Sequence, residues 1–408
     1  MIKKYSALLG AFLTAMSFSL AQPMEIAEAA QESTKIVAPK APFVYKKDSP
    51  SWQAFCQKYK LNPEAKGKRV IMDCDLTYLN DDFFALMEVL KLHQYGFIKL
   101  EGISIVGANN IVAACTFETL STLEALGYRD IPVYMGTDKP LKGFKNPEEI
   151  KKNVGKLGYL GTYMHLGNYT KDWKSKAARE NAKGIDFLTP STLEVEDKDA
   201  TTFMLETVKK YPGEVQIISL GGLMNVANAI KKDTSFAENC AGIMIMGGVF
   251  DTPGEMLNKI EINWWYDPAA VNIVSNAKWK KIMILPHDAA TYCRKDLNFV
   301  DKYAGKYESN IVKLVKRDLP KAQTYMPETA LEFFWDPIAV AALVYPEIIT
   351  KKEVRHFAVQ ENWGYGYGNT FHWPEGQAPS GVGKGEIILA VDGKKFYDFM
   401  TDLHTLED

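Results

Sequence analysis

The chain has 408 residues, of which 47% are hydrophobic and 24% charged, and its formal net charge is −2. This composition is typical of a soluble globular protein and leaves room for one large α/β domain or two smaller ones. No basic block or excess of positive charge is present, which argues against a nucleic-acid partner. The five cysteines lack paired zinc spacing, so the sequence indicates neither a zinc ribbon nor a disulfide framework.

The N-terminus is typical of a secretory signal peptide. Two lysines precede an apolar stretch from Ala7 to Leu20, and small residues up to Ala21 form a cleavage site. The stretch is short and interrupted, so we expect no stable membrane anchor, although an uncleaved anchor is the alternative interpretation. We therefore predict cleavage after Ala21 and a secreted or periplasmic protein. Residues 22–50 lack periodicity and are predicted to be a linker or arm.

The stretch from 69 to 82 combines a strand, a loop and a helix with four acids. An apolar run leads into Asp73 and Asp75, and after a short loop Asp81 and Asp82 open an apolar helix. In an open α/β sheet ligands bind beyond the carboxyl ends of the strands, which places a site here. Four carboxylates this close repel one another unless a cation or shared protons compensate, and oxygen ligands suit Ca²⁺. Helix capping explains one or two of these acids, but hardly four.

From residue 69 onwards predicted strands and helices alternate, which indicates a parallel sheet covered by helices. We predict a single doubly wound, Rossmann-like α/β domain over residues 51–408 with a mostly parallel central sheet. Residues 137–197 interrupt this alternation and are predicted to be an insertion or lid. The predicted strands are 70–74, 98–106, 131–135, 214–220, 242–246, 281–285, 354–360 and 385–391, and the main predicted helices are 81–93, 113–126, 200–210, 267–277, 333–343 and 395–403.

Six short motifs follow one another along the chain. They are Asp73-Cys-Asp75 with Asp81-Asp82, Val106-Gly-Ala-Asn109, Ser219 to Asn225, Ile245-Met-Gly-Gly248, Glu261-Ile-Asn263 with Asp267-Pro268, and Trp335-Asp336-Pro337. Each motif alone is weak, but their order and approximate spacing over residues 68–403 resemble those of the inosine–uridine-preferring nucleoside hydrolases. The resemblance implies a nucleoside hydrolase-like fold and an enzyme that cleaves N-ribosides to base and ribose.

The resemblance also implies a metal site. In the family one Ca²⁺ is held by carboxylates and a backbone carbonyl, which correspond here to Asp75, Asp82 and Asp336 and to the carbonyl of Leu220. An activated water then attacks the anomeric carbon, and Asp75 is implied as the general base. This agrees with the chemistry of glycosidic cleavage, whose oxocarbenium-like transition state requires nearby carboxylates and an activated water.

A ribose site and two further catalytic residues follow from the same resemblance. Amide and carboxylate side chains suit such a site because they bind vicinal hydroxyls with paired hydrogen bonds. Beside Asp75, the catalytic set would include Asn263 and Trp335. The implied ribose-binding residues are Asp81, Asn109, Glu261 and Asn263, with Met246 packing nearby.

Trp335 occupies the position at which one branch of the family has a histidine that protonates the leaving base. Tryptophan here is similar to the purine-preferring branch and implies stacking on the base, while solvent or another group protonates it. The alternative interpretation is core packing beside Phe333 and Phe334. The sequence does not choose the second aromatic wall, for which it offers Tyr78, Tyr159, Tyr163, Trp173 and Trp265.

Three features qualify this picture. Loop 76–80 lacks the glycine that the family usually carries, so its shape is expected to differ. His165, in the predicted lid, is a candidate to reach a leaving base. His287, at a predicted strand end, is expected to make a structural hydrogen bond rather than to act in catalysis.

These observations predict an exported, Ca²⁺-dependent hydrolase of purine nucleosides that salvages bases, and the resemblance implies a homodimer or homotetramer. Two alternatives stay open. One is a nucleoside- or sugar-binding protein that keeps the fold but has lost turnover, which the glycine-less loop favours. The other is a hydrolase of a larger modified ribosyl or glycan substrate, for which segment 137–197 would shape a wider pocket.

Overall fold

The computed structural model describes residues 46–154, 161–164, 191–256, 259–295, 299–303, 306–325 and 333–408. The predicted signal peptide, most of the predicted arm and much of the predicted lid lie outside these residues, as do Tyr159, His165 and Trp173. All described residues belong to one contact unit, Val37–Asp408. Among them, no helix is long and apolar enough to cross a membrane.

Nine strands form one sheet at the centre of the protein. They are β1 (Arg69–Cys74), β2 (Lys99–Ile105), β3 (Val133–Met135), β4 (Val215–Ser219), β5 (Gly242–Met246), β6 (Ile282–Leu285), β7 (Ile349–Val359), β8 (Thr370–Pro374) and β9 (Gly383–Val391). Their order is β3-β2-β1-β4-β5-β6-β9-β7-β8. β1 to β6 and β9 are parallel, whereas β7 runs antiparallel to β9 and β8. The predicted mostly parallel α/β fold is confirmed.

Helices pack against the sheet and connect most of its strands. The α-helices in the described part of the chain are α1 (Pro50–Lys58), α2 (Asp81–Gln94), α3 (Val112–Leu126), α4 (Pro147–Val154), α5 (Ala200–Lys210), α6 (Met224–Lys232), α7 (Phe236–Asn239), α8 (Ile262–Tyr266), α9 (Pro268–Ser275), α10 (His287–Ala290), α11 (Asn310–Tyr325), α12 (Asp336–Val344) and α13 (Gly393–His404). Short 3-10 helices span Gly161–Met164, Phe299–Tyr303 and Pro346–Ile348.

The strand order reverses between β1 and β4, and this switch point positions the site. From β1 the chain builds towards β2 and β3, and from β4 it builds the other way through β5 and β6. The apolar run Val70 to Met72 is almost fully buried, as expected of a strand covered on both faces. Crevices form at such a reversal, beyond the carboxyl ends of the strands. Asp75 follows β1 at this point, and Leu220 follows β4.

Helices α2 and α12 pack against each other and both begin at this edge of the sheet. α2 is capped by Asn80, whose side chain accepts a hydrogen bond from the backbone N–H of Phe83 at 3.2 Å. Asp81 and Asp82 are therefore not used as the helix cap. Because α12 starts beside them, its first residue, Asp336, is brought to the same place.

Several elements differ from the sequence prediction, among them β7, which begins at Ile349 rather than at 354. The helix predicted over 333–343 begins only at Asp336, because Phe333 forms an antiparallel bridge with Arg294 and Pro337 occupies the first turn. Strand β8 was not predicted; it is an edge strand that pairs with β7 alone.

Candidate active site

Four carboxylates from three segments converge beyond the end of β1. Oxygens of Asp81, Asp82 and Asp336 all lie within 4.8 Å of one another. The backbone N–H of Asp336 donates to Asp81 Oδ2 at 3.4 Å, and that of Asp75 donates to Asp82 Oδ1 at 3.3 Å. Asp75, Asp82 and Asp336 are buried, whereas Asp81 is partly exposed. Three of these acids belong to the group of four that the sequence analysis found between residues 69 and 82, and the fourth, Asp336, was implied by the family resemblance.

Asp75 is oriented by the end of β2. Its two oxygens accept hydrogen bonds from the backbone N–H of Asn109 at 2.6 Å and from Asn109 Nδ2 at 2.9 Å. Gly221 also packs against it, since a Cβ atom at this position would come within 2.7 Å of Asp75 Cγ. The sequence analysis had grouped Asp75 with Asp82 and Asp336 as metal ligands. The three acids whose oxygens lie within 4.8 Å of one another are instead Asp81, Asp82 and Asp336. Asp75 faces Asn109, which was predicted to bind ribose.

Asp73 belongs to the scaffold rather than to the carboxylate cluster. The register of β1 places it between Ser104 of β2 and Ser219 of β4, and both hydroxyls donate to its carboxylate. Asn225 Nδ2 donates to Asp73 Oδ1 at 2.9 Å and to the carbonyl of Ile105 at 3.0 Å. Burial nevertheless raises the pKa of Asp73 to about 6. This network ties the three strands at the switch point together.

Burial and mutual repulsion favour protons or a cation in the cluster. Burial raises the pKa of Asp75 to about 8, and it raises the pKa values of Asp82 and Asp336 well above their ordinary range, with neighbouring carboxylates adding to the shift. Burial also raises the pKa of Asp81, which the ammonium of Lys295 opposes. A divalent cation would replace shared protons as the compensating charge.

The donor set fits a hard cation. Asp336 Oδ1 is buried and has no hydrogen-bond partner among the described residues, as expected of an oxygen reserved for another ligand. All the converging groups are oxygens, the ligand type that Ca²⁺ and Mg²⁺ prefer. The predicted ligands Asp75, Asp82 and Asp336 are thus placed where a cation would compensate them, and their roles as ligands stay predictions.

Three more of the predicted ribose-site residues, Met246, Glu261 and Asn263, lie together near the carboxyl ends of β4 and β5. Asn263 Nδ2 donates to the carbonyl of Leu220 at 2.9 Å and to Met246 Sδ at 3.3 Å. Glu261 caps α8 by accepting from the backbone N–H groups of Asn263 and Trp264. Asn263 Oδ1 is buried without a partner in the described part of the chain, so an acceptor is available for a hydroxyl donor.

Gly247 and Gly248 allow the ring of Trp264, the neighbour of Asn263, to pack directly against the backbone after β5. Both have positive φ, 157° and 78°, and a Cβ atom at either position would collide with Trp264. The backbone N–H of Gly248 donates to Glu261 Oε2 at 2.8 Å. Burial raises the pKa of Glu261 to about 7, although these backbone donors oppose the shift. The Met-Gly-Gly turn thereby fixes the predicted ribose-binding acid.

Trp335 lies immediately before Asp336 and is 9% exposed. Its Nε1 donates to His287 Nδ1 at 3.0 Å. The ring of Phe333 contacts the indole edge-on, with 5.6 Å between the ring centroids and an interplanar angle of 73°. Phe334 packs on Phe84 instead. The structural hydrogen bond that the sequence analysis expected for His287 is present, but its partner is the predicted base-stacking residue, which no sequence signal indicated.

The candidates for a second aromatic wall separate in the structure. Tyr78 is buried and its hydroxyl donates to Asp318 at 2.7 Å, and Trp265 is fully buried under other rings. Tyr163 is partly exposed and belongs to the 3-10 helix whose Thr162 N–H donates to the carbonyl of Ala108, next to Asn109. Of the described candidates, Tyr163 is thus the one that is partly exposed, and its ring contacts Trp265 and Tyr266.

The loop without glycine is held by three other segments. Leu79 adopts a left-handed conformation with φ 66°. Glu118 of α3 accepts from the backbone N–H of Tyr78, Asp318 of α11 binds the hydroxyl of Tyr78, and Lys295 Nζ donates to the carbonyl of Leu79 at 3.3 Å. These contacts fix the loop that carries the chain from Asp75 to Asp81.

Comparison with known proteins agrees with this arrangement. The family model described as inosine-uridine preferring nucleoside hydrolase matches residues 70–398. Uridine nucleosidase 1 of Arabidopsis thaliana is 28% identical over 293 residues, which cover 71% of this chain and 77% of that protein. The inosine-uridine preferring nucleoside hydrolase of Crithidia fasciculata is 24% identical over 307 residues, 70% of this chain and 82% of that protein.

Solved structures share the fold. A plant nucleoside hydrolase, PpNRh1, superimposes with a TM-score of 0.66 at 22% identity, covering 83% of this chain and 99% of its own. The purine-preferring ribonucleoside hydrolase from Gardnerella vaginalis gives a TM-score of 0.61 at 20% identity, with coverage of 83% and 98%. Because the family model spans most of the chain, the expected family is confirmed. The chain belongs to the inosine-uridine preferring nucleoside hydrolases, enzymes that hydrolyse N-glycosyl bonds.

Proposed function

We propose that the protein is an exported, Ca²⁺-dependent hydrolase that cleaves purine nucleosides to base and ribose. The observation that carries this proposal is the convergence of Asp75, Asp81, Asp82 and Asp336 in one largely buried cluster. Glycosidic cleavage by water requires such a concentration of negative charge next to the developing oxocarbenium ion.

The cation would be held by the carboxylates of Asp75, Asp82 and Asp336 and by the carbonyl of Leu220. That carbonyl already accepts from Asn263, and its second lone pair is available for another ligand. When bound, Ca²⁺ would supply Lewis-acid activation of the attacking water. The partly exposed Asp81, whose carboxylate lies in the same cluster, would accept a ribose hydroxyl.

Asp75 would take the proton of the attacking water. This requires an ionised carboxylate, and Asn109 favours that form by donating to both of its oxygens. Asn263 would accept a ribose hydroxyl with its unpartnered Oδ1, and Glu261 is fixed beside it by backbone donors. In this proposal Asp75 acts on the attacking water, and Asp81, Asn263 and Glu261 act on the sugar.

The purine preference rests on Trp335. A tryptophan presents a large π-face on which a two-ring base stacks over more area than a one-ring base. The relatives named above carry uridine as well as inosine in their names, so base preference is the part of the proposal that needs the sharpest test.

Export and assembly are further parts of the proposal. Export is supported by the N-terminal pattern that ends at Ala21, and assembly as a homodimer or homotetramer is supported only by the resemblance. N-terminal sequencing of protein recovered from the extracytoplasmic fraction should begin at Gln22. Light scattering of the purified protein gives its oligomeric state.

The test is a panel of inosine, adenosine, guanosine, uridine and cytidine, assayed for free ribose with and without chelator. We expect purine cleavage that chelation abolishes and Ca²⁺ restores. Asp75→Asn should lose turnover, whereas Asp130→Asn, at an exposed turn, should keep it. Faster cleavage of uridine than of inosine would contradict the purine preference. Binding of nucleosides without any turnover would favour the binding protein over the enzyme.

A further inference from the structure

We propose that His287 is a positioning residue for substrate recognition. It fixes the plane of the Trp335 ring and holds that ring at a set position relative to the turn at Gly248, which supports the predicted ribose-binding residues. The inference rests on the proposed function, because it assumes that the base of a nucleoside stacks on Trp335. It assigns His287 a role in binding the base, without direct contact with the reacting atoms.

The first observation is the geometry of the contact between the two rings. Trp335 Nε1 donates to His287 Nδ1 at 3.0 Å, the ring centroids lie 6.0 Å apart, and the planes are inclined by 33°. An indole N–H points outwards in the plane of the ring. The hydrogen bond therefore uses the edge of the indole and restrains its rotation, and it does not occupy a face on which a base stacks.

The second observation is what holds His287 itself. The residue opens α10 directly after Pro286, and its backbone N–H donates to the carbonyl of Gly248 at 2.9 Å. The backbone N–H of Gly248 in turn donates to Glu261. A continuous chain of hydrogen bonds thus runs from the predicted ribose-binding acid, through the glycine turn and the imidazole, to the indole.

Charged neighbours of the imidazole are compatible with this role. Glu255 Oε2 lies 3.9 Å from His287 Nδ1, and its other oxygen accepts from the backbone N–H of Ile262 at 2.8 Å. Asp288 is engaged elsewhere, since it accepts from three backbone N–H groups between Phe250 and Thr252. Burial lowers the pKa of His287, which favours the neutral ring, and Asp288 opposes this shift.

In a neutral ring whose Nδ1 accepts from the indole, the proton is carried by Nε2. The acceptor position therefore matters more than the charge. This gives a clear ranking of substitutions. Asparagine places its Oδ1 close to the position of Nδ1 and should restore the contact, glutamine places its acceptor further out, and leucine removes it.

The experiment is a double-mutant cycle between His287→Leu and Trp335→Phe, with kcat and KM measured for the preferred nucleoside. We expect His287→Leu to raise KM about ten-fold, the effect of losing one productive hydrogen bond of about 1.4 kcal/mol. In the Trp335→Phe background, where the N–H donor is already absent, the same substitution should change KM less than two-fold. His287→Asn should recover most of the wild-type KM and His287→Gln should not, so the test stands even if His287→Leu does not fold.

Competitive inhibition by free ribose is the control, because ribose has no base to stack. Its inhibition constant should be unchanged in all five variants, whereas a loosened structure would weaken ribose binding and nucleoside binding together. Equal effects of His287→Leu in the two backgrounds, or a parallel loss of ribose binding, would overturn the inference while wild-type turnover still supports the proposed function. A wild-type protein that neither cleaves nor binds any nucleoside, by assay or by calorimetry, would overturn both.

Discussion

Asn109 holds both carboxylate oxygens of Asp75, one through its backbone N–H at 2.6 Å and the other through its side-chain amide at 2.9 Å. Donors to a charged carboxylate lower its pKa, whereas burial raises that of Asp75 to about 8. Asn109, which was predicted only to bind ribose, therefore also affects the ionised fraction of Asp75, the proposed general base.

Asn109→Ala removes the side-chain donor and keeps the backbone donor. We expect kcat/KM to fall about 100-fold, in the range of a lost general-base contribution. Because the charged form loses a donor, the pKa of Asp75 should rise, and the acid limb of the pH profile of kcat/KM should move to higher pH. Asn62→Ala is the control, since Asn62 donates to the carbonyl of Leu343 away from the cluster. An acid limb that does not move in Asn109→Ala would contradict this assignment.

Calcium affinity should depend on pH. The pKa of Asp75 is raised to about 8 and those of Asp82 and Asp336 are raised well above their ordinary range, so the metal-free protein holds protons that a cation must displace. We expect the apparent affinity for Ca²⁺ to increase from pH 6 to pH 8.5. Titration calorimetry in two buffers of different ionisation enthalpy should show proton release on binding, and Asp336→Asn should reduce the number released. An affinity that is the same at both pH values would be evidence against the cluster as the ion's site.

Asn225→Ala tests the scaffold beneath the carboxylate cluster. The variant removes one donor from Asp73, which keeps those of Ser104 and Ser219, and one from the carbonyl of Ile105, which keeps the backbone N–H of Gly136. The loss of these two buried hydrogen bonds should cost about 2 kcal/mol in free energy of unfolding. The folded-state pKa of Asp73, about 6, lies above the ordinary value of 3.8, so its contribution to stability is lost as pH rises through this interval. Without Asn225 the shift should be larger, and the difference from wild type should therefore be greater at pH 8 than at pH 5.

Urea denaturation at the two pH values measures this difference. The control is Asn276→Ala, whose exposed side chain donates only to the carbonyl of Asn272. It should change stability little and equally at both pH values. A penalty for Asn225→Ala that is independent of pH would show that Asp73 does not titrate with the network.

At Leu79, which has a left-handed backbone conformation, the glycine variant should be more stable than the alanine variant, the reverse of the usual order. Both substitutions lose the buried leucine side chain, but alanine keeps the strain of a positive φ, about 1 kcal/mol, and glycine does not. We expect Leu79→Gly to be more stable than Leu79→Ala by about 1 kcal/mol. At Leu86, buried within α2, the order should be the opposite by a similar amount. Thermal and urea unfolding of the four variants gives the comparison, and glycine being worse at both positions would exclude strain at Leu79.

The parallel sheet and the carboxylate cluster were accessible from sequence for a physical reason. Buried parallel strands need continuous apolar runs, and acids directly after such runs have few positions other than the crevice. The strand–loop–helix pattern therefore indicated Asp75, Asp81 and Asp82, whereas Asp336 was implied as a site residue only by the family resemblance. The start of α12 was misplaced by three residues because the aromatic residues before Asp336 continue an apolar pattern without a capping signal.

Contacts between side chains distant in sequence were not accessible. The hydrogen bond between Trp335 and His287 joins residues 48 positions apart, and it depends on how β6 and α12 lie in space. Likewise, the strand pattern placed both Asp73 and Asp75 in the candidate site and did not distinguish between them. Only the register of β1 with β2 and β4 shows that Ser104 and Ser219 occupy Asp73 and leave Asp75 to the crevice.

The hydrogen bond between Asp336 and Asp81 joins residues 255 positions apart in the chain. During synthesis, the acidic loop after β1 therefore leaves the ribosome long before the helix that completes it. A nascent or truncated chain ending before α12 would lack Asp336, one of the three proposed carboxylate ligands. If the proposed ligand set is correct, such fragments should be unable to retain Ca²⁺, and tight retention would report that the full-length chain has been made and has folded.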